Sequence, residues 1–408
     1  MSAMKRLFGE GFRVFFLAAG IWAVVSILVW GLYLGIHAAG GMLWDLPFTM
    51  APHLWHGHEM IFGYGTAAMA GFFLTAVPNW TGAQAARHAF IASAAALWLA
   101  GRAAVWYSAA LPDSLVASIC LGFLPLLGAK LAMQLVKRPK PQNMMFLGLI
   151  TLLWLGEWRV QLDWMGLPWG DAEAGLRGGL YALVAMIAVL GGRVTPAFTR
   201  NAIIRESLEA HGHEPAETAL PEKRAHLEKL AIIAAIATAI GALAGLPDFI
   251  EGTVMLVFGL AQMTRMIGWK SGFAMTRPIL AALHLAMALT GLGALLGGLA
   301  LLGFGSEIGA LHVTAIGGVG GMTLAMMSRA TLGHTGRPLI APYGIALSYA
   351  LLPLAAALRW VASAFPAEFY FTGVLGSALV WTFAFALYLA ALWPAFWLPR
   401  LPRMETSR

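Results

Sequence analysis

Twelve apolar runs, each long enough to cross a lipid bilayer, dominate this chain. They fall at roughly 12–37, 52–77, 88–110, 114–136, 143–165 and 175–198, then at 228–246, 249–269, 278–302, 306–332, 342–364 and 371–397. Crossing ~30 Å of hydrocarbon takes ~20 predominantly apolar residues in a helix. Lipid offers no partner to backbone N–H and C=O groups, so a segment of this kind must satisfy its own hydrogen bonds as a helix. The expected fold is therefore an all-α polytopic membrane protein, a bundle of about twelve transmembrane helices forming one transmembrane domain over residues 1–408. The composition agrees, with 60% hydrophobic and 11% charged residues, where soluble domains carry about 25% charged. MSAMKR precedes the first run with no small-residue cleavage site, so that run is expected to stay as the first helix.

The net charge of +7 is explained by orientation. With the N-terminus in the cytoplasm, 22 of the 26 Lys and Arg fall at the inner ends of the runs. They include Lys5, Arg6, Arg13, Lys137, Arg138, Lys140, Arg193, Arg200, Lys270, Arg277, Arg337, Arg400, Arg403 and Arg408. The opposite loops carry Asp45, Asp113, Asp171, Glu173, Asp248, Glu307 and Glu368. This is the positive-inside pattern, with both termini cytoplasmic. It accounts for the basic residues without a nucleic-acid partner. The one sizeable soluble segment is the inner loop at 199–227, expected to hold a short interfacial helix. His211 and His213 in that loop are read as solvated.

Ionisable groups inside a membrane are costly and face a bundle interior, so each is a functional candidate. Histidine carries most weight, because neutral imidazole is a ligand for both haem iron and copper. With this orientation, His53, His56, His58 and Glu59 lie in the first two turns of the second run, which starts at Pro52, a residue suited to the first helical position. His312 enters the tenth run at similar depth, and His37 closes the first run on the same side. His284, His334 and His88 form a second level nearer the cytoplasm. His56 and His58 are about 200° apart around a helix, so they address different neighbours. One of the two is expected to give an axial bond to haem while the other serves copper or a neighbouring helix. His312 is the natural second ligand. His56 and Glu59 share a face, which allows one to orient the other. The plainer alternative for these histidines is an interhelical hydrogen bond.

Arg102, with Glu157 and Arg159, lies about two-thirds of the way towards the outer face by helical rise. Arg102 and Arg159 suit haem propionates, which are anionic and take bidentate donors; a structural Arg–Glu pair is the competing reading. Met322, Met326 and Met327 offer thioethers but read first as packing. Cys120 is the only cysteine, so a disulfide or a multi-thiolate cluster within one chain is excluded. There is no CxxCH, which excludes covalently attached c-type haem, and no Walker loop, dinucleotide fingerprint, GxSxG elbow or HExxH motif.

Five blocks resemble the NnrS family of bacterial inner-membrane proteins: WHGHEMIFGYG at 55–65, GFFLTAVPNWTG at 71–82, GGRVTPAFT at 191–199, LHLAMALTG at 283–291 and MTLAMMSRATLGHTGRP at 322–338. They span most of the chain in order. The resemblance implies a twelve-helix protein that carries haem and copper and serves nitric oxide metabolism and tolerance of nitrosative stress. His56, His58, Glu59 and His334 lie inside the matching blocks, and His284 and His312 extend the same picture. The expected cofactors are haem b and copper. The expected partners are nitric oxide or a related small molecule, the lipid bilayer, and quinol or another electron donor. Two other functions compete. A quinol-linked respiratory oxidoreductase of the haem–copper type is disfavoured, because no adjacent His–His pair occurs. A secondary transporter without haem is disfavoured by the two levels of histidine and by the lack of a visible repeat between the halves.

Overall fold

The computed structural model describes residues 2–402, so Arg403 and Arg408 of the inner-side charge pattern lie outside the described residues. No strand occurs among the described residues. The long helices are α1 (Gly11–Ala38), α2 (Pro52–Thr81), α3 (Ala89–Trp106), α4 (Asp113–Leu135), α5 (Pro141–Trp164) and α6 (Ala172–His211). They continue with α7 (Ala225–Ala244), α8 (Asp248–Trp269), α9 (Pro278–Leu301), α10 (Glu307–His334), α11 (Tyr343–Ala364) and α12 (Pro366–Trp397). All twelve apolar runs are thus helical.

Eleven of these helices are long and apolar enough to cross a membrane. The other, α5, has 24 residues, a sufficient length. Its second half carries Glu157, Arg159, Gln161 and Asp163, which lowers its hydropathy. Two of them, Glu157 and Gln161, are only 2% and 1% exposed. Polar groups at that depth persist when they face partners inside the protein.

Contacts divide the chain into two compact units. The first comprises the described residues of Met1–Gly179, Met326–Ser348 and Trp381–Arg408; the second is Leu180–Ala325 with Tyr349–Val380. In the first unit, α1 is anchored to the end of α12 by buried Arg13. Its Nη1 donates to the carbonyls of Ala395, Phe396 and Leu398 at 2.7, 3.2 and 3.1 Å, supplying donors to acceptors that a helix end leaves without intrahelical partners. Also in this unit, α5 and α6 cross at backbone contact. A Cβ on Gly156 would lie 2.7 Å from the Gly175 carbonyl oxygen, and one on Gly175 would lie 2.6 Å from that of Gly156.

Helix α2 is not uniform. After Pro52–His58 it widens into a π-helical segment, Glu59–Gly65, and returns to α geometry from Thr66. The widening has local causes. A Cβ on Gly63 would sit 2.5 Å from Trp22 Nε1 and 3.2 Å from Arg102 Nη1, so only glycine admits both side chains. The Gly63 carbonyl accepts a 3.0 Å hydrogen bond from Trp98 Nε1. Side-chain insertion of this kind interrupts a helical ladder, and π segments recur at functional sites. In the second unit α10 repeats the pattern, with Glu307–His312 followed by a π segment at Val313–Gly320.

The segment 199–227 is partly helical. Helix α6 runs on to His211, so residues 199–211 are helical, and a single turn at Glu217–Ala219 follows. Arg277 pairs with Glu206 there, and Arg205 lies 3.8 Å from Glu209 one turn on. Such i,i+4 pairs favour continuing the helix.

Candidate metal centre

The start of the π segment points His58 and Glu59 into the first unit, where both are fully buried. The Nδ1–H of His58 donates to Glu59 Oε1 at 2.9 Å, and Arg102 Nη1 donates to the same oxygen at 2.8 Å. A carboxylate held by arginine is an acceptor, so it fixes the proton on Nδ1 and leaves the lone pair on Nε2. That Nε2 faces α5, 3.8 Å from Glu157 Oε1 and 3.5 Å from Gln161 Nε2. From α4, Cys120 completes the group. Donor atoms of His58, Cys120 and Glu157 all lie within 4.8 Å of one another, and all three residues are buried. In this arrangement the Cys120 thiol faces the Gly101 carbonyl at 3.8 Å.

Imidazole, thiol and carboxylate converging in this way are a donor set for one metal ion. Two bonds of ~2.0–2.3 Å span at most about 4.5 Å, so ligation draws the three donors only slightly closer. A thiolate with an imidazole suits copper or zinc better than a hard cation. With a metal on His58, Glu59 would be the outer carboxylate of a carboxylate–histidine–metal arrangement, and Arg102 holds Glu59. Haem does not fit in the space beside Cys120 and Glu157. The space between Phe62, Trp98, Arg102, Cys120 and Glu157 does not admit a water molecule, whereas a site for a ligand of that class has a volume of ~300 Å³ or more.

The other expected site residues stand elsewhere. His56, two positions before His58, turns to α1 and stacks on Trp30 with centroids 4.9 Å apart and planes at 10°. Glu59 takes His58, the adjacent residue, as a partner. Arg159 pairs with Asp171 at 3.3 Å near the end of α5. His334 stacks on Phe12 at 5.5 Å. In the second unit, His312 faces the Ile308 carbonyl through Nδ1 at 2.8 Å, which makes Nε2 the ligating nitrogen of that tautomer. His284 is held on both nitrogens, Nε2 at 2.9 Å from Thr199 Oγ1 and Nδ1 at 2.9 Å from Ser271 Oγ. Thr199 donates to the Thr195 carbonyl, so it accepts from His284 Nε2–H, and Ser271 donates to Nδ1. Met322 packs beside Gly191.

Cys120 and Gln161 were not expected at the site. A single cysteine in an apolar run reads as core, and no spacing links residues 58, 120 and 157. The available signal was the charge: Arg102, Glu59 and Glu157 lie at membrane depth on three separate helices and require partners.

The NnrS family model, described as NnrS protein, matches residues 6–400. The chain belongs to the NnrS family. Membership supports a membrane protein of the nitric oxide response. No curated protein matches the chain.

Proposed function

We propose that this NnrS protein carries copper and haem b in a bacterial inner membrane, termini in the cytoplasm, and uses them to mitigate nitric oxide. The observation behind this reading is the buried convergence of His58, Cys120 and Glu157. Burying these three groups without a ligand is costly, which favours a resident ion. We assign copper to this set. Bound there, copper would supply one-electron chemistry inside the hydrocarbon, where neutral nitric oxide concentrates.

The chain's residues have distinct tasks. Arg102 neutralises Glu59; Glu59 orients the His58 ring and raises its basicity as a ligand; Phe62 and Trp98 exclude water. Haem belongs with histidines outside this closed set. His312, with its tautomer held by the Ile308 carbonyl, and His56, braced by Trp30, are the axial candidates. His284, engaged on both nitrogens, is assigned a structural role. The deciding experiment is copper and haem analysis of detergent-purified protein, with oxidised and dithionite-reduced spectra before and after nitric oxide. Stoichiometric copper lost in His58→Ala, with b-type bands that persist there and shift with the gas, is the expected result. Folded protein with neither cofactor would overturn the reading in favour of a transporter.

A further inference from the structure

The donor set of His58, Cys120 and Glu157 is closed. All three residues are buried, and the space beside Cys120 and Glu157 admits no water molecule. A metal that activates a substrate keeps an open coordination position, and this wall leaves no room for one. Thiolate and imidazole together are instead the donors of copper sites that pass electrons. We propose that the set holds an electron-transfer copper, and that Trp164 is the residue through which electrons reach it from a one-electron carrier in the water outside the membrane. This rests on the copper reading above and names the class of partner that the site serves.

The geometry of α5 carries it. Glu157, Gln161 and Trp164 follow one another at helical spacing, so they share one face. Glu157 Oε1 and Gln161 Nε2 on that face lie 3.8 and 3.5 Å from His58 Nε2. Trp164 continues the stripe and meets the His58 imidazole in a T-shaped contact, with centroids 6.4 Å apart and planes at 70°. It is also the last residue of α5 and is half-buried, next to exposed Asp163. The charge pattern places that end of the helix outside. The ring is held in position, for its Nε1–H donates to Thr49 Oγ1, and the Thr49 N–H donates to Ser108 Oγ at 3.1 Å. One ring thus spans the distance between a fully buried ligand and the surface. The other tryptophan at the set, Trp98, is 5% exposed and leads elsewhere, to Trp22 on α1 at 5.9 Å. That route would suit a carrier dissolved in lipid.

The step is the transfer of one electron. The carrier is oxidised by one electron and Cu(II) is reduced to Cu(I). No bond to the carrier forms, and neither a proton nor a ligand has to enter the closed set. His58, Cys120 and Glu157 stay in place throughout, which a site packed this tightly requires.

The test uses full-length protein in detergent, loaded with Cu(II) and mixed anaerobically with hexaammineruthenium(II), a one-electron donor that reacts without binding the metal. Loss of the Cu(II) paramagnetic signal gives the rate. Trp164→Leu should slow this reduction several-fold while copper affinity and the Cu(II) signal stay as they were. Leucine is smaller, so a tryptophan that served only as a plug would give a faster reaction instead. Trp164→Phe, which keeps a ring in place, should retain most of the rate, and Trp22→Leu all of it. Azide, a small ligand for an open Cu(II) position, should leave the signal unchanged. Reduction of Trp164→Leu at the unmodified rate or faster, slowing in Trp22→Leu in its place, or a signal that shifts with azide would overturn the proposal and leave the copper reading standing. If copper binding is indifferent to both His58→Ala and Cys120→Ser, the copper reading fails and takes the proposal with it.

Discussion

Replacing Arg102 with methionine tests the electrostatic frame of the site most directly. Arg102 and Glu59 are 4% and 0% exposed, and their nearest atoms are 2.8 Å apart. With charge centres about 4 Å apart and an effective dielectric near 20, the attraction is about 4 kcal/mol. Removing the guanidinium leaves the Glu59 carboxylate buried, held by His58 Nδ1–H alone, with Oε2 already unpartnered. Breaking a buried pair from one side typically costs ~3–5 kcal/mol. R102M should therefore lose roughly that much stability. The double variant R102M/E59Q should recover at least half of it, since no uncompensated charge remains. The contrast is Arg159→Met: its partner Asp171 is half exposed and 3.3 Å away, so that variant should lose less than ~1 kcal/mol. Reversible unfolding in mixed micelles, followed by tryptophan fluorescence, reads all four proteins. An R102M loss below ~1 kcal/mol, or no recovery in the double variant, would refute the claim that Glu59 is a buried carboxylate dependent on Arg102.

Three further outcomes follow from the same geometry. E59Q keeps an acceptor for His58 Nδ1–H but removes the charge behind it, so copper affinity in competitive titration should fall ~10–100-fold; unchanged affinity would mean that Glu59 does not tune His58. G156A puts a Cβ 2.7 Å from the Gly175 carbonyl, where only backbone movement relieves the contact. It should cost ~1–3 kcal/mol in the same unfolding assay, and a neutral result would show that α5 and α6 separate freely. Within residues 199–227, the hydrogen bond from Arg200 holds the Glu217 carboxyl below its usual range. The ordering this gives is present above the unfolded-state value and lost as pH falls through the lower folded one. Limited proteolysis between residues 212 and 222 should therefore quicken in acid, and E217Q should remove that dependence.

The spans were legible because lipid imposes one rule on every residue of a crossing helix, and twelve apolar runs obey it. The rule blurs at α5, where Glu157 and Gln161 face inward to serve the site at the expense of hydropathy. The π segments were not legible. Their causes are tertiary, for Gly63 yields to Trp22, Trp98 and Arg102, which come from α1 and α3. The partners of Glu59 were not legible either. Positions 56 and 59 share a face on a regular helix, and spacing alone favours that pairing. The carboxylate meets the adjacent His58 ring and the Arg102 guanidinium. The hidden member was Cys120, whose apolar neighbours on α4 give no hint of chemistry. Its role follows only when α2, α4 and α5 are packed together. A membrane site of this kind is best sought by asking which buried charges on different helices can neutralise one another, and then which uncharged donors lie between them. Glu59 and Arg102 neutralise each other directly. Glu157 is left beside His58 and Cys120, where a bound cation would offset its charge.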